Sequence, residues 1–254
     1  MSFDIVIPLG PNEKKNIHKQ IEYTKKNVIG YRNIYIVTNN FDNIQIDGCQ
    51  IIDESIFPFK MTDIADYFAQ YNGKNNRNGW YLQQLIKLYA SFVIEGILDT
   101  YLVIDADVFF LKPIEFCKNS HFIFTTGNEE HKPYFKHMEK LHPSFQKVTE
   151  LSGISHHMIF DKKYLIELFN MVENVHNKLF WKAFIECVDE HEKHSIHAQE
   201  SGASEYELYF NYMVKNHKNI IEIRQLNWSN KHMSYNLSNN DNMDYIALCS
   251  WMNY

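Results

Sequence analysis

Asp105 and Asp107 stand one residue apart in the run Tyr101-Leu-Val-Ile-Asp-Ala-Asp-Val-Phe-Phe-Leu111. Carboxylates set into an apolar run are costly to bury unless positive charge meets them. Their hard oxygens suit Mg²⁺ or Mn²⁺, and a divalent cation carrying a phosphate is the partner that fits best. On a strand, residues i and i+2 share a face, so both carboxylates are expected to point into one cleft. If the strand stops between them, one is left for a ribose or a water while the other holds the metal. The bland alternative is a chance Asp-x-Asp in a turn, against which the buried-type strand leading into it argues.

Other side chains could join them. In the helix expected over 80–96, Trp80, Gln83, Gln84 and Lys87 recur at i, i+3, i+4 and i+7, opposite an apolar stripe of Leu82, Leu85, Ile86, Tyr89, Phe92 and Val93. Two amides and an ammonium on one face could hold a polar ligand, or simply face water. His156 and His157 occupy successive strand positions, so only one can face a cleft. Ser204 is a candidate N-cap, which puts Glu205 in a first helical turn, where a carboxylate is favoured with or without chemistry to do. The run His191-x-x-His194-x-x-His197 drifts by about 120° around a helix, which makes a shared zinc awkward.

Elements must position these groups. Residues 3–9 read as a short apolar strand closed by Pro8 and Gly10-Pro11, residues 12–27 as a polar helix, and residues 33–38 as a second strand. Strand, helix, strand in so short a span is the rhythm of a parallel sheet. A weaker strand follows at 49–53, a helix at 62–71, and a loop at 72–79 that is either a lip over the site or plain surface. The carboxylate run then reads as a strand buried on both faces, in the middle of an α/β sheet. In such sheets ligands gather at the carboxyl ends of the strands. Further strands are expected at 121–126, 155–160, 220–223 and 245–249. Helices are expected from Asp161 as N-cap to His176, over 177–192 and over 206–216.

The whole chain sets bounds on this. Its 254 residues, 45% hydrophobic and 22% charged, suit one α/β domain spanning 1–254. A net charge of -6 argues against a general nucleic-acid partner. Four scattered cysteines without a CxxC pair read as reduced thiols, and no apolar stretch has the ~18 residues of a membrane span. The start of the chain lacks the pattern of a signal peptide, so a cytoplasmic protein is expected, with the sequons at Asn227 and Asn236 accidental.

The ordered set is more specific than any one motif. The loop Ile5-Val-Ile-Pro-Leu-Gly10 is followed by Gly79-Trp-Tyr-Leu-Gln-Gln-Leu-Ile-Lys-Leu-Tyr89 and by Asp105-Ala-Asp107. His156-His-Met-Ile-Phe160 and Ser204-Glu-Tyr-Glu207 come after. Together they resemble the GT-A glycosyltransferases over roughly residues 3–215. That resemblance implies a Rossmann-like, mixed but mainly parallel sheet flanked by helices. It implies Mn²⁺ or Mg²⁺, a nucleotide-sugar donor (a UDP-sugar favoured) and a carbohydrate acceptor. Pro8, Leu9 and Gly10 would line the base and ribose, and Gln84 and Lys87 would face the donor. Asp107 would be the principal metal ligand, with Asp105 on the ribose, the metal or both. His156 and His157 would touch donor or metal, with His156 joining the catalytic candidates. Glu205 would be the base that takes the acceptor proton, and His232 a poorly matching counterpart of a C-terminal metal-binding histidine. The rival readings are a phosphatase with an aspartyl nucleophile and a non-catalytic module that binds nucleotide sugar or carbohydrate.

Overall fold

A computed structural model describes residues 1–39, 44–70, 77–188, 201–237 and 242–249. The first half of the chain runs β1 (Phe3–Pro8), α1 (Ile17–Asn27), β2 (Val28–Ile29), β3 (Tyr31–Thr38), β4 (Gln50–Asp53), α2 (Met61–Ala69), α3 (Asn78–Val93) and β5 (Thr100–Ile104). It continues with β6 (Val108–Phe110), β7 (Ile114–Glu115), β8 (Cys117–Lys118), β9 (His121–Thr125) and α4 (Lys132–Leu141). Then come β10 (His157–Asp161), α5 (Lys162–His176), α6 (Phe180–Glu186), α7 (Glu205–Asn216), β11 (Ile221–Arg224), β12 (Trp228–His232) and β13 (Tyr245–Cys249).

The central sheet has the order β10-β5-β1-β3-β4. Strands β5, β1, β3 and β4 are mutually parallel and β10 runs antiparallel to β5. The architecture is therefore mixed α/β with a mainly parallel sheet flanked by helices. Strands β1 and β5 are buried at every position, which is why their sequences are apolar runs rather than alternations. The exception proves costly to satisfy: Asp4, buried in β1, accepts from Arg32 Nε and Nη2 at 3.0 and 2.6 Å and from the backbone N–H of Asn33 and Leu98 at 3.0 and 2.8 Å.

Several elements depart from expectation. The run 101–111 is two strands in two sheets, not one. β5 stops at Ile104, Asp105–Asp107 make a turn, and β6 pairs antiparallel with β13. Backbone bonds fix the break: Asp105 N–H donates to His156 O (2.9 Å), Val108 N–H to Asp105 O (3.0 Å) and Leu248 N–H to Asp107 O (2.8 Å). The shared-face argument for the two carboxylates therefore does not apply. Residues 177–192 do not continue as one helix, because Asn177 adopts a left-handed conformation (φ 50°) that ends α5 before α6 begins. Helix α4 and strand β12 were not expected, since α4 lies in a polar, His-rich stretch and β12 has no apolar alternation.

All four cysteines are free thiols. No helix among the described residues is long and apolar enough to cross a membrane. His191, His194 and His197, and most of the loop 72–79, lie outside the described residues.

Candidate active site

Three elements converge on the turn after β5. Helix α3 presents Lys87 inward rather than to water: its Nζ lies 2.6 Å from Asp105 Oδ1 and 2.7 Å from Glu205 Oε1, at 3% exposure. One turn earlier, Gln84 Nε2 donates to Ala203 O at 3.0 Å, tying α3 to the segment that enters α7. The Gln84 and Lys87 part of the polar face of α3 is thus a seam against α7, while Trp80 is exposed and Gln83 half-buried. Ser204 caps α7 by accepting from Glu207 N–H at 3.2 Å, which sets Glu205 and Tyr206 in the first turn. Tyr206 OH donates to Asp105 Oδ1 at 2.9 Å, and the Lys87 ammonium sits 4.4 Å above the Tyr206 ring.

His156 comes from the other side. It holds φ at 61°, a sparsely populated conformation for a non-glycine residue. Its Nδ1 lies 3.5 Å from Asp105 Oδ2. One ligand atom each from Asp105, Asp107 and His156 lies within 4.8 Å of the other two. Among the described residues, Asp107 Oδ1 and His156 Nε2 are buried without a hydrogen-bond partner. An unpartnered carboxylate oxygen and an imidazole beside a second carboxylate are a donor set that a divalent cation can complete, the ion binding the imidazole in its neutral form. The residues fit such an ion.

The electrostatics agree. Burial alone would lower the Lys87 pKa, but Asp105 and Glu205 overcome it and hold the ammonium charged. Burial raises Asp105, yet Lys87 and then His156 bring it well below the usual carboxylate range. Asp107 is pushed up to about 6, first by burial and then by the charge of Asp105, which His156 only partly offsets. Glu205 is raised by burial against the pull of Lys87.

Among the other expected site residues, Pro8 ends β1 two residues past the Val6–Val103 pair, as Asp105, just beyond β5, lies two past it on the neighbouring strand's side. Pro8, Leu9 and Gly10 therefore stand at the same edge of the sheet as the carboxylates. Glu13, which the sequence did not single out, sits over that loop: a Cβ on Gly10 would lie 2.7 Å from its Oε2. Its position in a polar stretch gave no signal. His157 is a correction. It points into the aromatic core against Phe110, Phe116 and Tyr245, with Nε2 3.0 Å from Thr125 Oγ1, because its pairing with Ile104 in β10 turns it away from the cleft. Glu205 offers no open carboxylate, being 2% exposed and bonded to Lys87. His232 is outside the three-residue group, its Nδ1 2.8 Å from Ser234 Oγ.

A family model spans residues 19–241 of the chain. The chain belongs to DUF6492, a family of unknown function. The DUF6492 match takes in Lys87, Asp105, Asp107, His156 and Glu205, and begins after the loop that carries Pro8 to Glu13. No curated protein matches the chain. Among solved structures, this DUF6492 chain is similar to mouse xyloside xylosyltransferase 1 in its apo form, at a TM-score of 0.47 and 8% identity over 97% of each chain.

Proposed function

We propose that this DUF6492 protein is a metal-dependent glycosyltransferase of the GT-A type. It moves a sugar from a nucleotide-diphosphate donor, a UDP-sugar favoured, to an acceptor hydroxyl. One observation carries the reading: Asp105, Asp107 and His156 bring a ligand atom each within 4.8 Å of one another at the carboxyl end of the central strand, and Asp107 Oδ1 is buried with no hydrogen-bond partner among the described residues. A bound Mn²⁺ or Mg²⁺ would supply charge neutralisation and Lewis acidity toward the donor diphosphate.

Each residue then has a part. Asp107 and His156 hold the cation. Asp105 shares in it or meets the donor ribose, aimed by Lys87 and Tyr206, which both bond Oδ1. Pro8, Leu9 and Gly10 line the nucleotide. A general base must reach the hydroxyl it deprotonates; buried Glu205 instead serves as the counter-charge that keeps Lys87 in place. The phosphatase alternative needs an aspartyl oxygen free to attack. Asp105 Oδ1 is engaged twice and Oδ2 faces His156, so the geometry favours the transferase.

The test is thermal unfolding with UDP, GDP and CMP, each with Mn²⁺ or with EDTA. A nucleotide at about 100 times its dissociation constant adds about 2.7 kcal/mol of stability. One nucleotide is expected to raise the melting temperature only with metal, and Asp107→Ala to abolish the rise. Full metal-dependent stabilisation of Asp107→Ala would sink the assignment.

A further inference from the structure

Next to the carboxylate turn lies a polar groove of about 280 Å³, whose lining includes Thr126, Gly127, Asn128, Gln225, Asn227 and Trp228. Its aromatic wall is fixed in place. The Trp228 ring stacks on Tyr245 with centroids 5.3 Å apart and 10° between planes, and Tyr245 OH donates to Ser155 O at 2.9 Å. On the opposite side, Gly127 is bound to Ser152 through N–H and C=O at 2.9 and 3.0 Å. A Cβ on Gly127 would lie 2.8 Å from Ile154 O, so only glycine allows the two backbone segments this close approach, and 3.7 Å from the Trp228 ring, in ordinary contact.

The groove and the metal-ligand group are separated by a single side chain. The His156 ring meets Trp228 edge-on at 5.2 Å, while its Nδ1 lies 3.5 Å from Asp105 Oδ2. Topology puts the two ligand halves on opposite sides. β5, which ends at Ile104 just before Asp105, lies between β1 and β10. The loop of Pro8 to Gly10 follows β1 on one side, and His156 leads into β10 on the other, against the groove. A nucleotide on the β1 side and a second ligand on the β10 side would meet over the carboxylates.

The chemistry of the groove selects that second ligand. An indole gives packing surface to the C–H faces of a sugar ring, and side-chain amides both donate to and accept from hydroxyls. No charged side chain lines it among the described residues, which disfavours a phosphate. Its volume suits one sugar ring and is small for a whole nucleotide sugar. We propose that this groove is a saccharide subsite, in which the acceptor places one sugar ring against Trp228 with its hydroxyls on Asn128, Gln225 and Asn227. The word acceptor rests on the transferase reading above; the binding of a sugar does not.

The test is saturation-transfer NMR with methyl glucoside, galactoside, xyloside and N-acetylglucosaminide. Each is offered to the full chain in EDTA and again with UDP and Mn²⁺. The same titrations use a variant carrying Asn128→Ala and Gln225→Ala, both exposed positions, checked by its melting temperature. At least one glycoside is expected to bind the wild type and to weaken tenfold or more in the folded variant. Binding of no glycoside under either condition overturns the subsite, as does binding that the variant leaves at full strength. Metal-dependent UDP binding without glycoside binding would remove the subsite and keep the transferase. Glycoside binding lost in the variant, with no nucleotide binding, would keep the subsite and remove the transferase.

Discussion

Lys87 is one ammonium buried among two carboxylates, Asp105 and Glu205. Desolvation makes such a cluster a modest source of stability when whole, but removing one partner leaves uncompensated buried charge, at about 3–5 kcal/mol. Lys87→Met is therefore expected to lower the unfolding free energy by that order in urea denaturation. Adding Glu205→Gln to Lys87→Met should restore part of the loss, since one of the two stranded charges is then removed; no recovery would mean that packing of the Lys87 stem, not charge, is what matters. At this scale the sequence was partly legible. Asp105 and Asp107 declared themselves by type, because carboxylates in an apolar run demand a partner. Strand alternation said that only one of His156 and His157 faces the cleft, but choosing between them needed the register of β10 on β5. That Lys87 is spent on Glu205, 118 positions away, is a tertiary fact with no local trace.

Helix α7 is held at its entry by two local devices. Ser204 caps it, and Ser204→Ala should cost about 1 kcal/mol in the same denaturation experiment. Gly153 lets the preceding loop press on the helix: a Cβ there would lie 2.6 Å from Phe210 Cβ and 2.8 Å from Tyr206 O. Gly153→Ala should therefore cost more, about 1–3 kcal/mol from overpacking, and displace Tyr206 from Asp105. Capping chemistry is local, so Ser204 and Asp161 could be read from sequence, and both side chains do accept from a backbone N–H of the first turn. The break between β5 and β6 could not. Val108-Phe-Phe110 continues the apolar run of β5, and only its pairing with β13 takes it to a different sheet. Strand β12 was hidden for the same reason, being Trp-Ser-Asn-Lys-His with every position half-buried.

Across the whole molecule, acid stability carries a signature of buried neutral imidazole. His137 is pushed down to about 4 from 6.5 by burial, its Nε2–H donating to Phe184 O at 2.7 Å. Between those values the unfolded chain binds a proton that the native state refuses, so stability falls as pH drops through this window. His137→Gln keeps a donor but does not titrate. Between pH 7 and 4.5 the wild type should lose about 2–3 kcal/mol more than this variant, measured by urea unfolding at each pH. Equal losses would show that His137 is accessible to protons in the native state. The α/β class was legible from the strand–helix–strand rhythm, while the membership of β6, β9 and β11–β13 in smaller sheets depends on contacts between distant segments. One such contact has a consequence for biosynthesis. Asp107 is pinned through its carbonyl by Leu248, and its carboxylate lies beside Cys249, 142 positions downstream. Closing so long a loop is slow and entropically unfavourable until the partner strand exists. A nascent chain on the ribosome can lay down β1, β3 and β5 early, yet the turn that carries Asp107 should mature only after residues 245–249 have left the exit tunnel.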